Sequence, residues 1–159
     1  MKVTQHLWFE RDMEAAVRFY TALIPGSTVS WISAVPADTP SGPAGSVRTA
    51  AFTLGGQRYR AVEAGPLDPF NHSFSVVVEC DDQAEVDRLW DALLEGGAPE
   101  RCGWLRDRWG LCWQITPKRL GELMGDPDRK KARRVTEAML GMVKLAIAAL
   151  EAAARAEAS

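Results

Sequence analysis

Two stretches of the chain carry the same order of apolar and polar positions. Residues 3–10, VTQHLWFE, alternate as a half-buried strand does. Asp12 follows, placed to cap a helix. MEAAVRFYTALIPG then sets Ala16, Phe19, Tyr20, Leu23 and Ile24 on one helical face, and Pro25 and Gly26 end it. Further on, SFSVVVE is a strand, Asp82 a cap, and QAEVDRLWDALLEGG a helix closed by Gly96 and Gly97. An offset of 70 carries Asp12 onto Asp82, Arg18 onto Arg88, Phe19 onto Leu89, Tyr20 onto Trp90, Leu23 onto Leu93 and Gly26 onto Gly96. Two units of one design account for this.

Strand patterns follow each helix. The first unit continues with STVSWISAV, SVRTAAFTL and QRYRAVEA, the last two joined by the hairpin signal Gly55–Gly56. Between the first two lies PADTPSGPAG, a Pro-, Gly- and Ser-rich loop expected to be mobile. The second unit continues with a weaker strand near PERCGWLRD and a strong one, LCWQITP, after a tight turn at 107–110. The predicted fold is therefore α+β: two βαβββ modules, about 1–66 and 71–120, forming a curved mixed sheet around a shared cavity within one domain, 1–125. Residues 126–159 form a helical extension, with Asp126 as cap and Pro127 at the first helical position. Val135, Met139, Met142, Leu145 and Ala149 make its apolar stripe. Ala146 offers no cap for a separate last helix, so one longer helix, bent near Gly141, is expected.

Composition narrows the function classes. Hydrophobic residues are 47% and charged residues 25%, with a net charge of −2, a balance that directs the protein to neither nucleic acid nor anionic lipid. No apolar run reaches the roughly 20 residues of a membrane span. The N-terminus enters a strand pattern at once, without a signal-peptide cleavage region. The three cysteines lack the spacing of a zinc knuckle or redox dithiol, which points to a cytoplasmic protein with reduced thiols. The basic cluster Arg129, Lys130, Lys131, Arg133 and Arg134 reads as a solvated helix face.

LWFERDMEAAVRFYTALIPGS, FNHSFSVVVECDDQAEVDRLWDAL, CGWLRDRWGLCWQITPKRLGELM and DPDRKKARRVTEAMLGMVKLAIAALEAA together resemble the vicinal oxygen chelate superfamily, the glyoxalase and bleomycin-resistance fold. Within it the chain resembles the PhnB-like, or 3-demethylubiquinone-9 3-methyltransferase-like, family. No glycine-rich nucleotide loop follows a strand, so a methyl-donor site of the usual kind is unsupported. The resemblance implies His or Glu at four cavity-facing strand positions in metal-dependent members. Aligned on the two capping aspartates, those positions hold Gln5, Ser75, Gln114 and Ala61. Amides and hydroxyls are poor ligands for a divalent transition metal, so no metal and no cofactor is expected. His6 and His72 lie beside ligand positions with the opposite strand parity, and a one-residue slip would turn them inward.

In that register Gln5, Leu7, Phe9, Ala61 and Glu63 of the first unit, and Ser75, Val77, Glu79, Cys112, Gln114 and Thr116 of the second, line the cavity. Trp31 and Phe70 sit on its rim. Leu111, Trp113 and Ile115 face the helices. Relatives usually carry an apolar residue in place of Arg60 and often Asn in place of Glu63. A carboxylate in an apolar cup would serve as a general base, with Arg60 beside it to hold it ionised or bind a substrate anion. A strand-edge salt bridge is the plainer account of Arg48, Arg60 and Glu63. Two readings stand. One is a metal-independent binding protein for a small hydrophobic or aromatic compound. The other is a metal-independent lyase or isomerase with Glu63 as base and Arg60, Gln5 or Gln114 placing the substrate. The superfamily's habit of pairing implies a homodimer.

Overall fold

Gly55 and Gly56 turn the chain at φ of 54° and 84°, the two left-handed positions that a tight hairpin requires. They join β3 (Arg48–Leu54) to β4 (Gln57–Glu63) in full antiparallel register. β4 lies parallel to β1 (Gln5–Phe9), and β2 (Thr28–Ala34) pairs with β3 through a bulge between Val29 and Trp31. The sheet order is β1-β4-β3-β2, and α1 (Met13–Leu23) covers one face. The loop before β3 is held by its own bonds: Thr39 and Gly42 pair, and Asp38 accepts from the Ala44 amide.

The computed structural model describes residues 1–156, which fall into two compact units dividing after Pro69. The second repeats the first unit's order. β5 (Ser75–Cys80), α2 (Gln83–Leu94), β6 (Ala98–Pro99), β7 (Trp104–Arg106) and β8 (Cys112–Pro117) build the sheet β5-β8-β7-β6. The weak strand expected near PERCGWLRD is two short strands around a turn. Gly103 stands in that turn at φ 81°, and a Cβ there would lie 2.8 Å from the Ile115 carbonyl oxygen. Asp107, only 4% exposed, organises the next turn. Its carboxylate accepts from the amides of Trp109 and Leu111 and from Trp113 Nε1 at 2.9–3.0 Å.

The C-terminal helices α3 (Lys118–Met124), α4 (Arg129–Leu140) and α5 (Ile147–Arg155) belong to the second unit. Leu120, Leu123, Val135, Leu145, Leu150 and Ala154 form their core, with Leu150 in place of the expected Ala149. Two expectations for this tail are corrected. The α4 cap is Asp128, which accepts from the Lys130 and Lys131 amides; Asp126 binds the Lys131 ammonium instead. The single long helix is also broken, for a reason outside the tail. Gln83, at the start of α2, accepts from the Ile147 amide at 2.8 Å and donates to the Leu145 carbonyl at 3.1 Å. It supplies the cap that Ala146 lacks. The Met142 and Val143 carbonyls accept from the Cys102 and Gly103 amides, which secures the linker to the β6–β7 turn. The part of the expected extension at 157–159 lies outside the described residues. Among those described, no helix is long and apolar enough to cross a membrane.

Candidate functional site

Each sheet has a face covered by its helix and an open face, and the side chains that tie sheet to helix reveal which is which. In the first unit Glu63 accepts from the Met13 amide at 2.8 Å, capping α1 from the sheet. Arg48 pairs with Glu14 of α1 at 2.7 Å. Leu7, Phe9, Tyr59, Ala61, Ala50 and Phe52 share that face and are buried, with Phe52 and Tyr59 stacked at 5.4 Å. Burial raises the Tyr59 pKa. Gln5 begins the same face and accepts from Gln57 Nε2 at 2.6 Å.

The expected orientation of Gln5, Leu7, Phe9, Ala61 and Glu63 toward a cavity is therefore corrected. They point to the helix side, and Leu7 and Phe9 are core. Asp12 explains the reversal. It stands at φ 59° without a side-chain cap bond, whereas Asp82 is extended and accepts from the Glu85 amide. Three residues separate β1 from α1 and two separate β5 from α2, so the 70-residue offset true of the helices becomes 71 on the strands. A shift of one residue exchanges the faces of a strand.

The open face of the first sheet then carries the row His6, Arg60, Ala51 and Trp31, which are paired across β1, β4, β3 and β2. The Arg60 guanidinium lies 5.8 Å from the Trp31 ring centroid. Ala51 between them is small enough to leave that approach free. Trp31 is 41% exposed on an edge strand. A shallow hollow of about 270 Å³ lies elsewhere, between α1 and β2, and contains none of the residues expected in a site.

In the second unit the expected parity matches the observed register. Val76, Leu105, Leu111, Trp113 and Ile115 are buried with α2's Val86, Leu89, Trp90 and Leu93. Ser75, Cys112, Gln114 and Thr116 share the other face, and Gln114 Nε2 donates to Ser75 Oγ at 2.9 Å. Val77 and Glu79, on the same face, are exposed, and Phe70 is half-buried ahead of β5. The open row equivalent to His6–Arg60–Ala51–Trp31 is Val77–Gln114–Trp104–Glu100, so Gln114 corresponds to Arg60 and not to Ala61.

A group on this face was not foreseen. His72 Nε2 lies 2.7 Å from Glu100 Oε2, the Arg106 guanidinium lies 3.4 Å from Glu100 Oε1, and the His72 ring is 6.0 Å from Trp104. Only the alternation of Trp104, Leu105 and Arg106 could have exposed it. A two-residue β6 gives no period from which to place Glu100.

The three cysteines are free. Burial pushes the Cys80 thiol up to about 12, and burial raises Cys112 despite the neighbouring Arg106, so both are held as thiols rather than nucleophilic thiolates. The four positions aligned with metal ligands do not come together on one face here. Ser75 and Gln114 present a hydroxyl and an amide bonded to each other, Gln5 and Ala61 lie on the helix side of their sheet, and His6 and Arg60 stand on the open face in their place. Among the described residues no three His, Cys, Asp or Glu side chains converge on a point that could hold a metal.

A βαβββ unit with a parallel first-to-last strand pair and one open sheet face, occurring twice, is the architecture of the vicinal oxygen chelate fold. The sequence profile described as 3-demethylubiquinone-9 3-methyltransferase matches residues 1–116, and the chain belongs to that PhnB-like family. A PhnB protein from Bacillus cereus is 31% identical with a TM-score of 0.64, covering 74% of this chain and 99% of that one. Protein PA1353 from Pseudomonas aeruginosa is 23% identical with a TM-score of 0.57, covering 74% of this chain and 97% of its own. The trypanothione-dependent glyoxalase I of Leishmania major shares the fold, at 13% identity and a TM-score of 0.51, over 82% of this chain and 97% of its own. No match was found among curated proteins.

Proposed function

We propose that the protein is a metal-independent binding protein that takes a small hydrophobic or aromatic compound against the open face of a sheet. The observation that carries this is Trp31, a large exposed ring on a face that also carries Trp8 and Val62, with the Arg60 guanidinium 5.8 Å from its centroid. An aromatic ligand would stack there, with Thr49 and Ser33 on the same face as polar neighbours. Ser75 and Gln114, a hydroxyl and an amide bonded to each other on the open face, support the metal-independent part. The test is a thermal-shift screen of small aromatic compounds, since a ligand at 100 times its Kd stabilises by about 2.7 kcal/mol. Hits whose shift survives Trp31→Ala overturn the assignment.

The His72–Glu100 pair favours a second reading, a metal-independent acid/base enzyme of lyase or isomerase type. A carboxylate 2.7 Å from the imidazole would fix its tautomer, leaving Nδ1 to exchange a proton with a substrate near Ser75 and Gln114. Glu63 is not carried into this reading, because its carboxylate caps α1. Turnover of a carbon acid that persists in His72→Asn would remove the reading.

A homodimer in the cytoplasm, with no nucleic-acid or membrane partner, completes the proposal. Exposed Phe74 and Val77 support pairing, and the three free cysteines fit a reducing compartment. Light scattering on purified protein decides the first point.

A further inference from the structure

Charge is distributed unevenly over the first unit. On the helix side and in the loop, acids have partners: Glu14 binds Arg18 and Arg48, Glu63 binds the Met13 amide, and Asp38 binds the Ala44 amide. On the open side, β1 to β4 present His6, Arg58 and Arg60 and no carboxylate. Among the described residues neither Arg58 nor Arg60 has an acidic partner, and both are exposed. The Arg60 Cζ lies 5.8 Å from the Trp31 ring centroid. Among the described residues the Arg60 N–H donors make no hydrogen bond or ion pair, so its planar fork is open to an anion.

We propose that the ligand of this face is a planar aromatic anion, in the simplest form an aryl carboxylate, with its ring beside Trp31 and its charge taken by Arg60 and Arg58. The proposal rests on the aromatic-binding reading above and goes beyond it by fixing the ligand's charge. Carboxylate and guanidinium match in a two-point fork, which a neutral amide of the same shape cannot reproduce. The second unit offers no equal site, since Gln114 and Glu100 stand in the corresponding row.

The full chain is titrated at low salt with 2-naphthoate and with its neutral isostere, 2-naphthamide, by calorimetry. The expected result is roughly tenfold tighter binding of the naphthoate, a preference that added salt reduces. Arg60→Gln should bring the two affinities together, Arg58→Gln should narrow the gap, and Trp31→Ala should weaken both compounds alike. Circular-dichroism melts confirm that each variant, altered at an exposed side chain, is folded. Equal affinities in the unaltered protein, or a preference that persists in both arginine variants, overturn the anion assignment while aromatic binding stands. Failure of both compounds to bind removes the aromatic reading and this proposal with it.

Discussion

Phe9 and Cys80 hold the same place in the two units, the last residue of the first strand, and both are buried. Three residues separate Phe9 from its helix and two separate Cys80 from its own. The additional residue in the first unit is absorbed by Asp12 in the left-handed region; Asp82, free of that demand, caps its helix in the ordinary way. The first helix is capped from the sheet instead, by Glu63. One residue in a connection thus decides which strand positions are core, what caps the helix, and what faces the open side. The open row of the first unit is basic and aromatic. That of the second contains Gln114, Trp104 and Glu100, with His72 bound to the glutamate.

The comparison breaks most severely if the connections are made equal. Deleting Arg11 leaves two residues between β1 and α1, so either the helix loses its seat or Leu7 and Phe9 turn outward. The expected loss is about 3–6 kcal/mol, read from urea unfolding. Next is Asp107→Ala in the second unit, which strands the buried Leu111 amide, the part-buried Trp109 amide and the Trp113 indole N–H. About 3 kcal/mol is expected, with no comparable position in the first unit. Gln83→Ala should cost about 1 kcal/mol and speed amide exchange at residues 147–150, because it uncaps α5. Glu63→Ala should cost a similar amount, about 1 kcal/mol, and leave aromatic binding unchanged, as a structural cap does.

Acid should have the smallest effect. Hydrogen-bonded Arg18 and Arg48 lower the Glu14 pKa, Lys144 lowers Asp87, and Lys131 lowers Asp126. Depressed folded values mean stability that is present above the unfolded pKa, about 4, and lost as pH falls through the folded values. Melting temperature should decline below pH 4, and less so at high salt, because these carboxylates remain in contact with solvent. A melting temperature that rises on acidification would contradict these pairings.

Much of this architecture was legible from the chain. The repeat, the strand–helix order, the Gly55–Gly56 hairpin and the core side of β8 follow from spacing, because apolar periodicity records burial. The candidate site was legible only in part. Trp31 and Arg60 stood out as a ring and a charge in strand patterns. Ser75, Cys112 and Gln114 were placed on the observed face because the second unit has the connection length assumed for both. Gln5, Leu7, Phe9, Ala61 and Glu63 lie on the face opposite to that which alignment on Asp12 gives, because that alignment carries a helix offset into a strand.

Sequence by itself determined the order of strands and helices in the two modules and that the design occurs twice. Tertiary structure alone decided which face of the first unit's strands meets the helix, the capping of α5 by Gln83 across 64 residues, and the meeting of His72 with Glu100. The physical reason is that alternation along a strand has two equivalent phases. Which phase faces the helix depends on the conformation of a connecting residue, and a side-chain bond between distant segments leaves no period in the chain.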